Sequence, residues 1–313
     1  MKIIGIIAEY NPFHNGHAYQ LSKIREETGA DYIAVAMSGD FVQRGEPAII
    51  DKYARTEMAL QSGADLALEL PVLWSTASAE AFAMASVTLF EKMGCVDGIC
   101  FGAETDNLPL LTTIADILTD EPEDYRRLLS SFLKKGMSFP SARAQALCEI
   151  NTENSSFKTT IEILSDILSS PNNILAIEYL KALKRLHSSM KPILLKRIGA
   201  GYHDTEINAA ENNSQKKAEA IPTASATAIR NLVFSKNTVI SPVIPASPAS
   251  VLLSDVLQSS MPDSALRILT DYLKQYPPIH VDDFSPLLGY QLLTRDKSSI
   301  SHIGDITPEI ANR

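Results

Sequence analysis

Along the first hundred residues, short apolar runs alternate with amphipathic stretches. Runs that stay apolar at consecutive positions suit strands covered on both faces, and their alternation with helical stretches is the pattern of βαβ units around a parallel sheet. The pattern predicts strands at 2–9, 32–37, 66–70 and 98–101, with helices at 17–28, 51–62 and 78–93. The last of these is rich in Ala, Phe and Met, as a helix packed deeply on a sheet should be. From 107 to about 186 the chain reads as mostly helical, with a charged stretch at 121–127 and stop signals at Gly136 and Pro140. The run Pro192-Ile193-Leu194-Leu195 predicts a fifth strand returning to the sheet and ending in a basic loop, Lys196-Arg197-Ile198-Gly199. A polar loop is expected at 209–220, and a helix beginning among the Ser and Thr residues after Thr223 and reaching Arg230. Pro242, Pro245 and Pro248 mark a linker before a small helical region. The expected fold is α/β: a Rossmann-like parallel sheet in a region of 1–240, with a helical insertion at about 107–190, and a smaller, mostly helical C-terminal domain over 241–313.

Composition narrows the classes. A chain of 313 residues with 45% hydrophobic content holds one or two globular domains. Cys95, Cys100 and Cys148 have neither CxxC spacing nor an even framework, so neither a zinc knuckle nor a disulfide scaffold is indicated, which fits a reducing, cytoplasmic setting. The apolar run from Lys2 to Ala8 meets Glu9 long before a bilayer is crossed, so neither a signal peptide nor a membrane partner is expected. A net charge of −9 argues against non-specific coating of nucleic acid, which needs clustered Lys and Arg. No protein partner is indicated.

Candidate chemistry concentrates where the first strand meets the first helix, at Glu9-Tyr10-Asn11-Pro12-Phe13-His14-Asn15-Gly16-His17. A parallel strand feeding a helix N-terminus offers backbone amides and the positive end of a dipole at the sheet's carboxyl edge, where open α/β folds bind ligands. His14 and His17 add side-chain donors, three residues apart, to a phosphate whose charge grows in a pentavalent transition state, and Gly16 permits close backbone approach. Such a site suits adenylyl transfer. After the second strand, Asp40, Gln43, Arg44 and Glu46 lie at the same edge, with Asp40 and Arg44 as candidates for substrate contact. Lys52, Arg55 and Lys216-Lys217 are basic enough to touch RNA phosphate, but scattered charges of this kind read more readily as solvated surface. Trp74 and Phe82 read as core packing rather than as a platform for a base. His203 with Asp204 reads equally as a surface turn or a catalytic pair, and His187, His280 and His302 carry no signal.

The HxGH turn after a first strand is the signature of the nucleotidylyltransferase superfamily. The longer string from Gly5 to Leu21, with the block from Ser38 to Pro71, resembles the bacterial tRNA(Met) cytidine acetate ligase family. Further agreement lies in Phe101-Gly102-Ala103-Glu104, Pro171-Asn172-Asn173-Ile174-Leu175, Lys196-Arg197-Ile198-Gly199 with Tyr202-His203-Asp204, and Ser225-Ala226-Thr227-Ala228-Ile229-Arg230. The resemblance implies an HxGH-type sheet and an enzyme that makes acetyl-adenylate from acetate and ATP. It would then pass the acetyl group to the wobble cytidine of elongator tRNA(Met) as N4-acetylcytidine. It implies ATP contacts along Ile7, Ala8, Glu9, Tyr10, Asn11, Pro12, Phe13, His14, Asn15, Gly16, His17, Ala18, Tyr19 and Gln20. Gly102, Asn173 and Arg197 are implied near the nucleotide, and Ser225, Thr227 and Arg230 at the leaving pyrophosphate. His14, His17 and Arg230 are the implied catalytic groups, and Mg2+ the accompanying ion, without a motif of its own. The family's chains continue beyond the equivalent of Thr307 to Arg313 with a segment that includes basic residues, so the C-terminal domain is expected to be truncated and tRNA affinity to be the property most affected.

Two other readings fit the same turn. One is another small-carboxylate adenylating ligase with a thiol or amine acceptor and no RNA, such as an acetate-dependent citrate lyase ligase or a pantothenate synthetase. The other is a non-catalytic nucleotide-binding protein. The block from Ser38 to Pro71 disfavours the first, and the intact histidines with the SxTxIR element disfavour the second. A Walker A kinase is disfavoured, because no GxxxxGK[ST] string occurs.

Overall fold

The runs predicted as strands form one parallel sheet. They are β1 (Ile3–Ala8), β2 (Tyr32–Ser38), β3 (Leu66–Leu70), β4 (Gly98–Ala103) and β5 (Lys191–Lys196). Their order is β3-β2-β1-β4-β5, with Ile6 of β1 paired to Val35 on one side and Cys100 on the other. The computed structural model describes residues 1–154, 159–197, 225–235, 238–239, 251–300 and 302–303. The Ile198-Gly199 end of the basic loop, Tyr202-His203-Asp204, the 209–220 loop with Lys216-Lys217, Thr223, the proline linker at 242–248 and the stretch 307–313 lie outside the described residues.

Helices of the first half are α1 (Asn15–Thr28), α2 (Lys52–Gln61), the short α3 (Val72–Ser75), α4 (Ala79–Met93) and α5 (Leu108–Asp120). The predicted helical stretch continues through α6 (Glu123–Lys134), α7 (Phe139–Asn154), α8 (Ile161–Ser169) and α9 (Pro171–Arg185). After β5 come α10 (Ala226–Val233), the paired two-residue strands β6 (Thr238–Val239) and β7 (Val251–Leu252), α11 (Leu253–Leu257), α12 (Asp263–Gln275), α13 (Ser285–Thr294) and α14 (Lys297–Ile300).

Strand alternation divides the core in two. Side chains two apart share a face, so Ile4 and Ile6 with Ile33 and Val35 meet α1, α2, α10, α11 and α12, through Leu21, Ile24, Met58, Ile229, Leu257 and Leu269. The opposite face presents Ile3, Ile7, Ala34 and Ala36 to α4, α5 and α9, through Phe82, Phe90, Leu111, Ile177 and Tyr179. Each such aliphatic or aromatic group, fully buried, contributes about 1.5–3 kcal/mol relative to exposure. The sheet edge that matters lies where β1 and β4 diverge. Their helices leave to opposite faces, the arrangement in which open α/β sheets form their ligand crevice at the carboxyl ends of the strands.

Three expectations are corrected. Pro140 does not stop a helix but stands second in α7, where the missing N–H has no intrahelical acceptor to lose. Trp74 is 43% exposed, because α3 is a single turn whose buried member is Ser75, held by its hydroxyl to the carbonyl of Phe41, while Phe82 is buried as expected. Arg55 is 0% exposed rather than solvated: it shares with Ala54, Met58 and Ala59 the face of α2 turned to the sheet.

Candidate active site

β1 ends at Ala8, and the chain turns sharply before α1. Tyr10 takes a left-handed conformation (φ 48°), the Asn11-Pro12 peptide is cis, and Tyr10, Asn11, Pro12 and Phe13 are buried. The side chains of Tyr10 and Phe13 form the scaffold of the turn, edge-on to each other at 4.8 Å and packed against the ring of His17. Asn11 is a strut: its Oδ1 accepts the N–H of Ile49 at 2.9 Å, and its carbonyl accepts a guanidinium N–H of Arg230 at 2.8 Å.

The two histidines cap α1 reciprocally. His14 is the N-cap in extended conformation; its Nδ1 accepts the N–H of Gly16 at 3.0 Å, and Nδ1 of His17 accepts the N–H of His14 at 3.2 Å. The rings stack with centroids 3.8 Å apart. A neutral imidazole that accepts at Nδ1 carries its proton on Nε2, so this arrangement fixes both rings as Nε2–H donors. Neither Nε2 has a partner among the described residues. Burial drives the pKa of His14 down to about 3, assisted by the positive charge of Arg197. For His17 burial is again the largest cause, followed by His14 and Arg197, and its pKa falls well below the usual value. Both are therefore neutral donors at pH 7.

The backbone amides of the same turn are already used. Asn15 N–H donates to the carbonyl of Ser260 at 2.9 Å, Gly16 N–H to His14, and His17 N–H to the carbonyl of His14. The side chain of Asn15 also reaches the carbonyl of Ser259. With these three amides engaged, the imidazoles are the donors at the very head of α1, and the helix dipole adds a positive field there. Farther along α1, Ala18 packs against the core, Tyr19 lies under the ammonium of Lys23, and Gln20 bonds the thiol of Cys100.

Across the crevice, the β4 and β5 ends supply the opposite wall. Arg197 N–H closes the pair on the carbonyl of Ala103 at 2.9 Å. Its side chain runs past Gly102, where an added Cβ would stand 3.2 Å from Arg197 Cγ. Gly102 thus leaves room for the arginine stem against bare backbone. Asn173, 2% exposed, is committed to the scaffold: its Oδ1 accepts the N–H groups of Glu104 and Thr105, while Glu104 accepts from Asn173 N–H at 2.9 Å and the Asn172 amide at 2.7 Å. This reciprocal clamp fixes the start of α9 to the end of β4.

From the third side comes α10. Ser225 Oγ caps it by accepting the N–H of Ala228 at 3.1 Å, and Thr227 Oγ1 accepts from Arg230 at 3.1 Å. Ala228 and Ile229 are buried in the core shared with β1 and α1, so α10 is an integral wall whose Arg230 reaches the β1 turn. Arg55 stands behind. Its guanidinium donates to the carbonyls of Glu9 at 2.5 Å, Ser38 at 3.1 Å, Ile50 at 3.3 Å, and Gly39. Burial lowers its pKa to about 10, so the positive charge persists at neutral pH, directly beneath the carboxyl ends of β1 and β2. The periodicity of Arg55, Met58 and Ala59 on one face of α2 is the signal that marks it in the sequence. Asp40 holds Lys52 N–H at 2.9 Å, Lys52 pairs with Glu69, and Arg44 is exposed in a left-handed conformation at the rim.

Comparisons with known proteins agree with this geometry. A family model described as HIGH Nucleotidyl Transferase matches residues 1–313. A protein of Thermoanaerobacter sp. (strain X514) named tRNA(Met) cytidine acetate ligase is 41% identical over the whole chain, which covers 69% of that relative. A Clostridium kluyveri protein of the same name is 40% identical, with 70% of it covered. Among solved structures, Thermotoga maritima TmcAL superposes with a TM-score of 0.82 in its apo form and 0.81 in a form bound with alpha-thio ATP, at 32% identity in each. This chain spans 66% of those solved chains. The doubly wound sheet is thus shared with proteins alike over their matched length, and the chain belongs to the HIGH nucleotidyl transferases and, within them, to the tRNA(Met) cytidine acetate ligase family.

Proposed function

We propose that this chain uses ATP to convert acetate to acetyl-adenylate and transfers the acetyl group to the wobble cytidine of elongator tRNA(Met). The observation that carries the reading is the pair of neutral imidazoles locked as Nε2–H donors at the head of α1. When a carboxylate attacks the α-phosphorus, negative charge grows on the non-bridging oxygens, and donors already oriented, in a site of low polarity, stabilise that charge without reorganising. Arg197 adds a positive charge to the same wall. Arg230, held by Asn11 and Thr227, and the capped start of α10 are the groups for the departing pyrophosphate. Gly102, without a side chain, lets the Arg197 stem run against backbone and so bring its charge to the nucleotide. Asn173 serves this site by fixing α9 to β4.

Magnesium accompanies ATP in this reading. Among the described residues no group of three or more His, Cys, Asp or Glu is placed to hold a metal ion, and Mg2+ commonly rides on substrate phosphates with several waters. The nucleotide, not the protein, is the proposed carrier, and the protein's own groups do the remaining work. The cysteines are free thiols, in keeping with a reducing cytoplasm as the place of action. No helix among the described residues is long and apolar enough to cross a membrane.

The deciding experiment is acetate-dependent pyrophosphate release from ATP, with acetyl-adenylate detected directly, run with and without elongator tRNA(Met) transcript and scored for N4-acetylcytidine. Adenylate plus acetylated cytidine supports the whole reading. Adenylate without RNA product limits it to carboxylate activation, and no acetate-dependent reaction refutes it.

A further inference from the structure

The transfer step requires a base that the adenylation groups do not provide. The exocyclic amine of a cytosine shares its lone pair with the ring, so an N–H proton must leave as the new C–N bond forms. His14 and His17 cannot take that proton: each Nδ1 is occupied by a backbone N–H, and each Nε2 already carries a hydrogen. Glu104 has both oxygens bound by the first residues of α9. Asp40 stands exposed at the rim with one oxygen on Lys52 N–H.

Glu9 differs from all of these. It is the first residue past β1, at the switch point, and its charge is felt by Tyr179 of α9 on one face of the sheet and by Arg230 of α10 and Arg55 of α2 on the other. Its Oε1 accepts the N–H of Gln43 at 3.0 Å, and among the described residues Oε2 has no hydrogen-bond partner and the carboxylate no ion pair. The guanidinium of Arg55 is spent on the backbone carbonyl of Glu9 and its neighbours, and that of Arg230 on Asn11 and Thr227. The charged and titratable groups around it are Arg230 from α10, Arg55 from α2, Glu46 from the loop after β2, and Tyr179 from α9, whose own pKa the Glu9 charge helps raise. Burial outweighs the Gln43 hydrogen bond and the two arginines, and leaves this carboxyl more basic than one in water. A carboxylate repels the phosphates of ATP, so of the residues implied along the nucleotide this one is suited to meet the incoming amine.

We propose that Glu9, through Oε2, is the general base of acetyl transfer, receiving the proton of the acceptor's exocyclic amine. This rests on the ligase reading above. The amine nitrogen attacks the acetyl carbonyl carbon of the mixed anhydride, the bond from that carbon to the phosphate oxygen breaks, and AMP leaves with the oxygen. The proton passes to Glu9 and then to water, restoring the carboxylate.

The test separates the two half-reactions by single-turnover kinetics on wild type, Glu9→Gln and Glu9→Asp. Adenylate is first formed from acetate and ATP, and tRNA(Met) is then added. Glu9→Gln is expected to slow transfer at least about a hundredfold further than it slows adenylate formation, within the range of a lost general base, and Glu9→Asp to recover part of the loss. Wild-type transfer should also rise with pH through a limb above the ordinary carboxylate range that Glu9→Gln lacks. Equal losses in both half-reactions, or an unchanged pH limb in Glu9→Gln, overturn the assignment. Wild type that forms no adenylate refutes the ligase reading instead, and wild type that forms it without acetylating the RNA refutes the acceptor and the base together.

Discussion

Which nitrogen holds the proton decides what His14 and His17 can do. Replacing His17 by Asn leaves an oxygen able to accept the His14 N–H, so the cap survives, but removes the Nε2–H donor. Acetate-dependent pyrophosphate release by His17→Asn is expected to fall about 10²–10³-fold, the usual effect of deleting one oriented donor to a developing oxyanion, with the melting temperature nearly unchanged. Wild-type turnover would remove that imidazole from the mechanism. Acid should also act on the fold through these rings. Both have folded pKa values below the unfolded 6.5, so the unfolded chain binds more protons between those values; the stability they contribute is complete above about pH 6.5 and is lost as the pH falls toward 3. Urea unfolding from pH 7.5 down to 5 should show wild type losing stability more steeply than a variant with both histidines replaced by Asn; parallel curves would mean that the rings titrate as if exposed. The pair itself is legible in the HxGH spacing. Its tautomers are not, because they depend on where two backbone N–H groups point, and the pattern says nothing of Ser260 taking the amide that a phosphate was expected to use.

Elements that the chain announces plainly are those whose environment is uniform. β1 and β2 are buried on both faces and read as unbroken apolar runs; α4 reads as a deep helix from its Ala, Phe and Met content. What misleads is a side chain whose type and place disagree. Arg55 is charged yet fully buried, and its value lies in acceptors contributed by the ends of β1 and β2 and by Ile50, which no local window contains. Trp74 is the converse, a large aromatic left outside by a one-turn helix. Because Arg55 satisfies carbonyls at two strand ends, Arg55→Met should cost about 3–5 kcal/mol in chemical denaturation, the scale for breaking a buried charged hydrogen-bond set. A cost under about 1 kcal/mol would show that those carbonyls find other donors. The cap of α10 is a smaller matter: Ser225→Ala should cost about 1 kcal/mol while weakening ATP binding, since the orientation of Arg230 depends on that helix.

On the scale of the whole molecule, the catalytic edge is assembled from segments far apart in sequence. Arg230 is bound to Asn11, and Asn15 to Ser259 and Ser260. The helices following residue 251 therefore do not merely follow the sheet. Leu257, Leu269 and Leu273 lie in the same core as Ile4, Ile6, Leu21 and Ile24, and α12 packs along α2, the helix that carries Arg55. A composition shift near the prolines suggests a separate unit to a reader of sequence alone, since a shared core leaves no mark in either segment by itself. The shared core has a measurable consequence. Leu269 is 0% exposed, and Leu269→Ala should destabilise by about 2–5 kcal/mol, the range for a buried leucine replaced by alanine. If α12 and the sheet form one cooperative unit, the loss should appear as a single earlier transition, the same by far-ultraviolet circular dichroism and by the fluorescence of Trp74 beside β3. ATP should then raise the midpoint of that one transition by mass action, in the variant as in wild type. Two transitions, with only the Trp74 signal responding to ATP, would instead mean that α11 and α12 fold apart from the site and that the ties through Asn15 form after the sheet is complete.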